Sequence, residues 1–122
     1  MLFPKPGSAA TGPQLGPEEI QLKSGHLIFG QAIASRVFGE ELQAKLAFDE
    51  QKQCFVIGRG SMVTIKMRYP KPSPMIVKQK NAYGEVSIAV QEWILDHNIN
   101  PETRSLAYDW EERVQLVTVT LH

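Results

Sequence analysis

Residues 25–39, GHLIFGQAIASRVFG, and residues 84–99, GEVSIAVQEWILDHNI, share one outline. Each opens with a glycine after a polar turn, passes through alternating apolar residues and enters a run with helical spacing. Gly25 aligns with Gly84, Leu27 with Val86 and Phe29 with Ile88. With one extra residue in the second helical region, Leu46-Ala47-Phe48-Asp49 falls on Leu106-Ala107-Tyr108-Asp109. The repeat period is about 60 residues. Each unit reads strand, turn, strand, short helix, hairpin. A unit this small cannot bury its apolar faces alone, so two copies are expected to share one core. The fold class expected is α+β and β-rich.

Working outward, residues 20–22 and 26–29 read as strands around the Ser24-Gly25 turn. Ala32, Ile33, Val37 and Phe38 recur at helical spacing and Gly39 is the expected stop. Residues 43–58 read as a β-hairpin, with Ala44, Leu46 and Phe48 in period-two alternation. Val63, Ile65 and Met67 alternate with Thr64, Lys66 and Arg68, which predicts a strand with a cationic outer face. Pro70, Pro72 and Pro74 are expected to end regular pairing. Residues 75–80 and 85–88 read as strands and residues 90–97 as a helix with Trp93, Ile94 and Leu95 as its apolar residues. Leu106 and Tyr108 share a strand face, and residues 114–121 form the last strand. The organisation expected is a flexible arm over residues 1–17, rich in proline and glycine, then one domain over 18–122. Its repeats, at about 20–60 and 76–121, are joined by a basic proline-rich linker. Leu2 and Phe3 offer the arm an apolar anchor for a partner or neighbouring copy.

The composition, 43% hydrophobic and 21% charged over 122 residues, is that of a globular chain. No apolar run approaches the roughly 20 residues of a membrane helix. The start, MLFPKPGSAATGP, lacks a long apolar stretch, so no signal peptide is expected. The single cysteine, Cys54, cannot form an internal disulfide or a cysteine-based metal cluster and reads as an inert core residue. A cytoplasmic location is expected. Net charge is zero, yet residues 60–83 carry five cations and no acid, while residues 84–122 carry two cations and seven acids. Such asymmetry marks either an anion-binding face or two patches that attract each other.

The segments GHLIFGQAIASRVF…KLAFDEQKQCFVI and GEVSIAVQEWI…SLAYDWEERVQLV resemble the swapped-hairpin family of AbrB-type transcription regulators, MazE-type antitoxins and the two-unit MraZ proteins. The resemblance covers roughly residues 20–58 and 76–120 and rests on apolar spacing. It implies two intertwined swapped-hairpin repeats, self-association, and DNA contacts from cations in and beside the glycine turn. The chain departs from the family at those contacts. His26 and Glu85 stand where the arginine is expected, and Leu22 and Asn81 where the MraZ pattern has an aspartate. A glutamate at position 85 would repel phosphate.

The stretch KMRYPKPSPMIVKQK, residues 66–80, is the main candidate site. Lys66, Arg68, Lys71, Lys78 and Lys80 supply the clustered charge that phosphate needs, Tyr69 could stack on a base, and Lys23 and Arg36 would assist. The competing reading is a solvated edge strand whose lysines block aggregation. Residues 69–74 read as a stiff linker or a polyproline-II ligand. His26, His97 and His122 are too scattered for a metal site, and no cofactor is expected. Asp96-His97 at a helix end suggests a local hydrogen bond and a favourable cation. Asp49 and Asp109 occupy matching places and read as hairpin-turn residues, with Trp93 in the core and Trp110 at a hairpin tip. No phosphate loop or catalytic triad spacing is present, so the chain is expected to be no enzyme. Two functions follow: a DNA-binding regulator, homo-oligomeric and without membrane contact, or a protein-interaction or assembly module, antitoxin-like or scaffold, that binds no nucleic acid.

Overall fold

The computed structural model describes residues 15–121. Among these residues the elements in chain order are β1 (Ile20–Lys23), β2 (His26–Phe29), α1 (Gln31–Phe38), β3 (Gln43–Asp49), β4 (Cys54–Arg59), α2 (Ile65–Arg68), β5 (Ser73–Ile76), β6 (Lys78–Gln79), β7 (Val86–Ala89), α3 (Gln91–Asp96), β8 (Arg104–Ser105), β9 (Tyr108–Glu111) and β10 (Leu116–Thr120). The fold is β-rich α+β. One five-stranded sheet has the order β6-β7-β2-β1-β8, the other β5-β3-β4-β10-β9, and the pairings in both are antiparallel.

The local chemistry explains the elements. Ser24 and Gly25 both take positive φ, 51° and 79°, which makes a two-residue turn whose twist suits the β1–β2 hairpin. The inward residues of that hairpin, Ile20, Leu22, Leu27 and Phe29, are completely buried. Helix α1 begins where the Ala32 and Ile33 N–H groups donate to the Pro17 carbonyl, at 2.9 and 3.0 Å. It stops at Gly39, whose N–H donates to Ser35 and whose φ of 60° suits glycine. The buried face of α1 is Ile33, Ala34, Val37 and Phe38, with Phe38 edge-on to Phe29 at 5.0 Å.

A single buried cluster runs between the sheets and draws on both halves of the chain. It holds Leu27, Phe29, Phe38, Leu46, Phe55 and Ile57 beside Ile88, Val90, Ile94, Leu106, Val117 and Val119. A smaller cluster, Ala47, Cys54, Val56, Ile65 and Leu116, lies on the far face of the second sheet, with Ile65 of α2 in it. At the centre of the first sheet Ile28 stands opposite Ser87, 59 positions later (28 and 87). At the centre of the second, Ile57 stands opposite Val117, 60 positions later (57 and 117).

Several expectations are corrected. Residues 64–68 form a helical turn rather than a strand, because only Ile65 of the alternating set is buried while Val63 and Met67 stay exposed. Pro70 and Pro72 lie outside the strands, but Pro74 does not end pairing: it lies inside edge strand β5, where a missing N–H is tolerated if it faces outward. Residues 75–80 are not one strand, since Val77 is the crossing point between β5 in one sheet and β6 in the other. The expected linker therefore contributes α2 and an edge strand. Leu95 is exposed. Trp110 and Asp109 sit within β9, opposite Val117 and Thr118, rather than at a tip or in a turn. His97 turns to Glu50 (3.7 Å) and packs against Phe48, with ring centroids 4.4 Å apart and planes tilted by 40°, rather than bonding Asp96. The expected arm lies outside the described residues up to position 14, including Leu2 and Phe3. Its last residues are packed: Leu15 is buried, and the Gly16 and Pro17 carbonyls lie against Gly30. No helix among the described residues is long and apolar enough to cross a membrane.

Candidate nucleic-acid interface

The outer face of the first sheet is built by alternation. Leu22, Leu27 and Ile88 point inward and are completely buried, so their neighbours in the strands point out. Lys23 stands opposite His26, Lys78 opposite Ser87, and the Lys80 N–H bonds the Glu85 carbonyl at 2.8 Å. The two hairpin ends thus bring Lys23 and Lys80 to one cleft of about 220 Å³, lined also by Ser24, His26, Ile28 and Ser87. Lys78 stands one strand position pair away on the same face, across from Ser87. The His26 Nδ1 lies 3.0 Å from the Ser24 carbonyl, which can only accept, so Nδ1 donates in this bond. No acid is among the residues lining this cleft, and neither lysine makes an ion pair with a described residue.

The seven cations read from the sequence do not form one patch. Lys23, Lys78 and Lys80 share the first sheet's face. Lys66 and Arg68 sit on α2 and Lys71 in the following loop, beside the second sheet. Arg68 is occupied: it grips Glu111 with two bonds of 2.8 and 3.1 Å, which hold the Glu111 carboxyl below its ordinary range. Here the basic middle and the acidic last third attract each other within one chain. Arg36 grips Glu18 in the same bidentate way, at 2.7 and 2.6 Å, and the bond from Arg36 lowers the Glu18 pKa. Glu85 does not face the solvent as a repelling charge. It is completely buried; its Oε2 accepts the Leu15 N–H at 2.7 Å and its Oε1 accepts Asn81 Nδ2 at 2.7 Å.

Two concavities gave no signal in the sequence. A groove of about 830 Å³ runs beside α1, walled by Phe38, Val77 and Val86, with exposed Leu42 and Tyr83 on its rim. A notch of about 340 Å³ opens where β5 parts from β3, lined by Phe48, Tyr69, Lys71, Trp93 and His97 among others. Tyr69 donates its hydroxyl to Asp49 at 2.9 Å, and burial together with that carboxylate pushes the phenol up to about 12. Asp49 also accepts the Lys52 N–H at 3.1 Å, a hairpin-turn role. Cys54 is buried, and burial pushes its thiol pKa up, away from reactivity. Among the described residues no three histidine, cysteine or acidic side chains gather around a metal position.

No family profile, curated protein or solved structure matches this chain.

Proposed function

We propose that this chain is a non-enzymatic DNA-binding protein of AbrB-like, transcription-regulator type. In this reading it is built from two swapped-hairpin-like repeats, and its contact surface is the outer face of the first sheet. The observation that carries the reading is the convergence of Lys23 and Lys80, from corresponding hairpin ends, on one acid-free cleft with Lys78 beside it. Phosphate attraction needs unpaired cations grouped on one surface, and these three meet that need where Arg36 and Arg68 do not. The repeat reading is supported by reciprocal packing. Gly25 of one turn lies against Gln91 at the start of α3, and Gly84 of the other against Gln31 at the start of α1. The Ile28–Ser87 and Ile57–Val117 pairs are what a two-fold relation between halves requires, since each joins positions one period apart.

Filter binding to duplex DNA across a salt series tests the proposal. Binding at low salt is expected to weaken steeply as salt rises. Replacing Lys23, Lys78 and Lys80 by alanine is expected to remove about three units of the log–log salt slope. Alanine at Arg36 or Arg68 should leave the slope unchanged. A chain that binds no duplex at low salt, or that binds equally well without the three lysines, rejects it. Sedimentation of the same samples tests the expected self-association.

A second reading, a protein-interaction or assembly module without nucleic acid, is favoured by the groove beside α1, whose apolar walls and exposed Leu42 and Tyr83 suit a protein partner. Co-purification of a partner that alanine at Leu42 and Tyr83 releases, with no DNA binding, would select it.

A further inference from the structure

The notch between β3 and β5 has a geometry that the DNA reading does not use. Its polar edge can be derived from the strand pairing. Pro74, opposite Lys45, has no N–H to give, so that pair is a non-hydrogen-bonded one. The Leu42 carbonyl accepts the Val77 N–H at 2.9 Å, whereas the Gln43 carbonyl accepts the Gly60 N–H at 2.8 Å on the other side. The even-numbered residues of β3 therefore turn their main-chain groups toward β5. The pairing with β5 ends at Leu46 and Ser73, so the next even residue, Phe48, presents its N–H and C=O to the notch with no partner among the described residues.

Aromatic walls flank that edge on both faces of the sheet. Tyr69 packs with the smaller cluster on the far face. Phe48 and Trp93 pack against the main core on the near face, and His97 packs against Phe48 with its ring tilted by 40°. The walls are held in advance: Tyr69 by its bond to Asp49, Trp93 edge-on to Phe55 at 6.2 Å, and His97 between Phe48 and Glu50. A flat group lying in the plane of the sheet would meet rings above and below and one donor–acceptor pair at its edge. The exposed Lys71 lines the same notch.

We propose that this notch binds a small nucleotide, with the base between Tyr69 and the Trp93–His97 wall and the phosphate at Lys71. A base is planar, stacks on aromatic rings and carries adjacent donors and acceptors on its edge, which is the complement of this site. The volume, about 340 Å³, lies at the small end of ligand pockets and suits one ring system.

The test follows fluorescence of Trp93 in a chain carrying Trp110→Phe, Lys23→Ala, Lys78→Ala and Lys80→Ala, so that the DNA face plays no part and failure of the DNA reading leaves the result intact. Titration with adenosine, guanosine, cytidine and uridine monophosphates is expected to quench Trp93 for at least one of them, with a Kd below about 1 mM. The matching nucleoside should bind about tenfold more weakly, as should the nucleotide on Lys71→Ala, a surface change that leaves the fold intact. Methylation of the hydrogen-bonding edge of the base should cost about tenfold more. Ribose 5-phosphate should not quench. The proposal is overturned if no mononucleotide quenches below about 1 mM, or if ribose 5-phosphate quenches as well as the nucleotide. It is also overturned if an extended tetrapeptide binds the notch and no nucleotide does, which would make Phe48 a strand-docking edge.

Discussion

Gly30→Ala isolates a contact between the segment before β1 and helix α1. Gly30 has φ −62° and ψ 161°, an extended conformation that alanine adopts without strain, so glycine is not required by its dihedral angles. What requires it is space. A Cβ at position 30 would lie 2.0 Å from the Gly16 carbonyl oxygen and 2.8 and 2.9 Å from the Pro17 oxygen and carbon. These are backbone atoms, and no side-chain rotation relieves them. The segment must move away, and three bonds are weakened with it: those from Ala32 and Ile33 to the Pro17 carbonyl, and that from Leu15 to Glu85. Overpacking of this kind costs about 1–3 kcal/mol and loss of a helix-capping acceptor about 1 kcal/mol. Against that, alanine lowers the entropy of the unfolded chain and returns about 0.4–1 kcal/mol. The net expectation is a loss of about 2 kcal/mol, or a fall in Tm of roughly 6–12 °C for a chain of this size. In a chain beginning at Glu18 the clashing atoms are gone, and the same substitution should be neutral or stabilising by up to about 1 kcal/mol. Urea unfolding of the four proteins forms a cycle with an expected coupling of about 2–3 kcal/mol. An equal loss in both backgrounds, or a loss under about 0.5 kcal/mol in the full chain, would show that residues 16–17 do not pack on Gly30.

Other expectations follow from the same geometry. Ile57→Ala, at the centre of the second sheet and completely buried, should cost about 2–5 kcal/mol and shift together the unfolding transitions read from Trp93 on α3 in one single-tryptophan chain and from Trp110 on β9 in another. In a spectrophotometric titration of the folded chain Tyr69 should ionise near the value of about 12 that burial and Asp49 impose, and Tyr69→Phe should remove that phase. Its folded pKa lies above the unfolded one, so the stability it contributes is fully present below about pH 10 and lost as pH rises toward 12; Tyr69→Phe should remove that part of the alkaline decline. Pro74→Val should give β5 an N–H on its outer side and promote edge-to-edge association, seen as larger species by light scattering; an unchanged mass at high concentration argues against the blocking role.

The residues that read well from the sequence are those whose local signal and tertiary role coincide. Ser24-Gly25 makes the turn its composition announces, α1 ends at Gly39, and the apolar periods of β2, β3 and α1 mark their buried faces. The failures share a cause. Val63, Ile65 and Met67 alternate as a strand would, but alternation over so few residues also fits a helical turn that buries only its middle member, and packing against Leu116 and Cys54 on the far face of the second sheet decides for the turn. Pro70, Pro72 and Pro74 are spaced by two, so in an extended chain their nitrogens share one side. Pro70 and Pro72 fall in the irregular segment before β5, but Pro74 lies in the edge strand with its nitrogen outward, where no donor is needed, so it blunts the edge instead of breaking the strand. Nothing in the composition distinguishes those outcomes.

The candidate site was hidden by one residue. The five cations from Lys66 to Lys80 look continuous along the chain, but Val77 is buried in the main core while the strands on either side of it belong to different sheets. That crossing sends Lys66, Arg68 and Lys71 to the second sheet and Lys78 and Lys80 to the first. There Lys80 meets Lys23, a residue 57 positions earlier (23 and 80) that the sequence offered only as an accessory. Charge grouped along a chain becomes a binding surface only if the strand register keeps it on one face, and here the register divides one basic stretch while it joins two distant lysines. A separate consequence falls on the notch: because β5 begins only at Ser73, after the irregular residues 70–72, the Phe48 edge stays open beside Lys71, and any change that lengthened the β3–β5 pairing would close it.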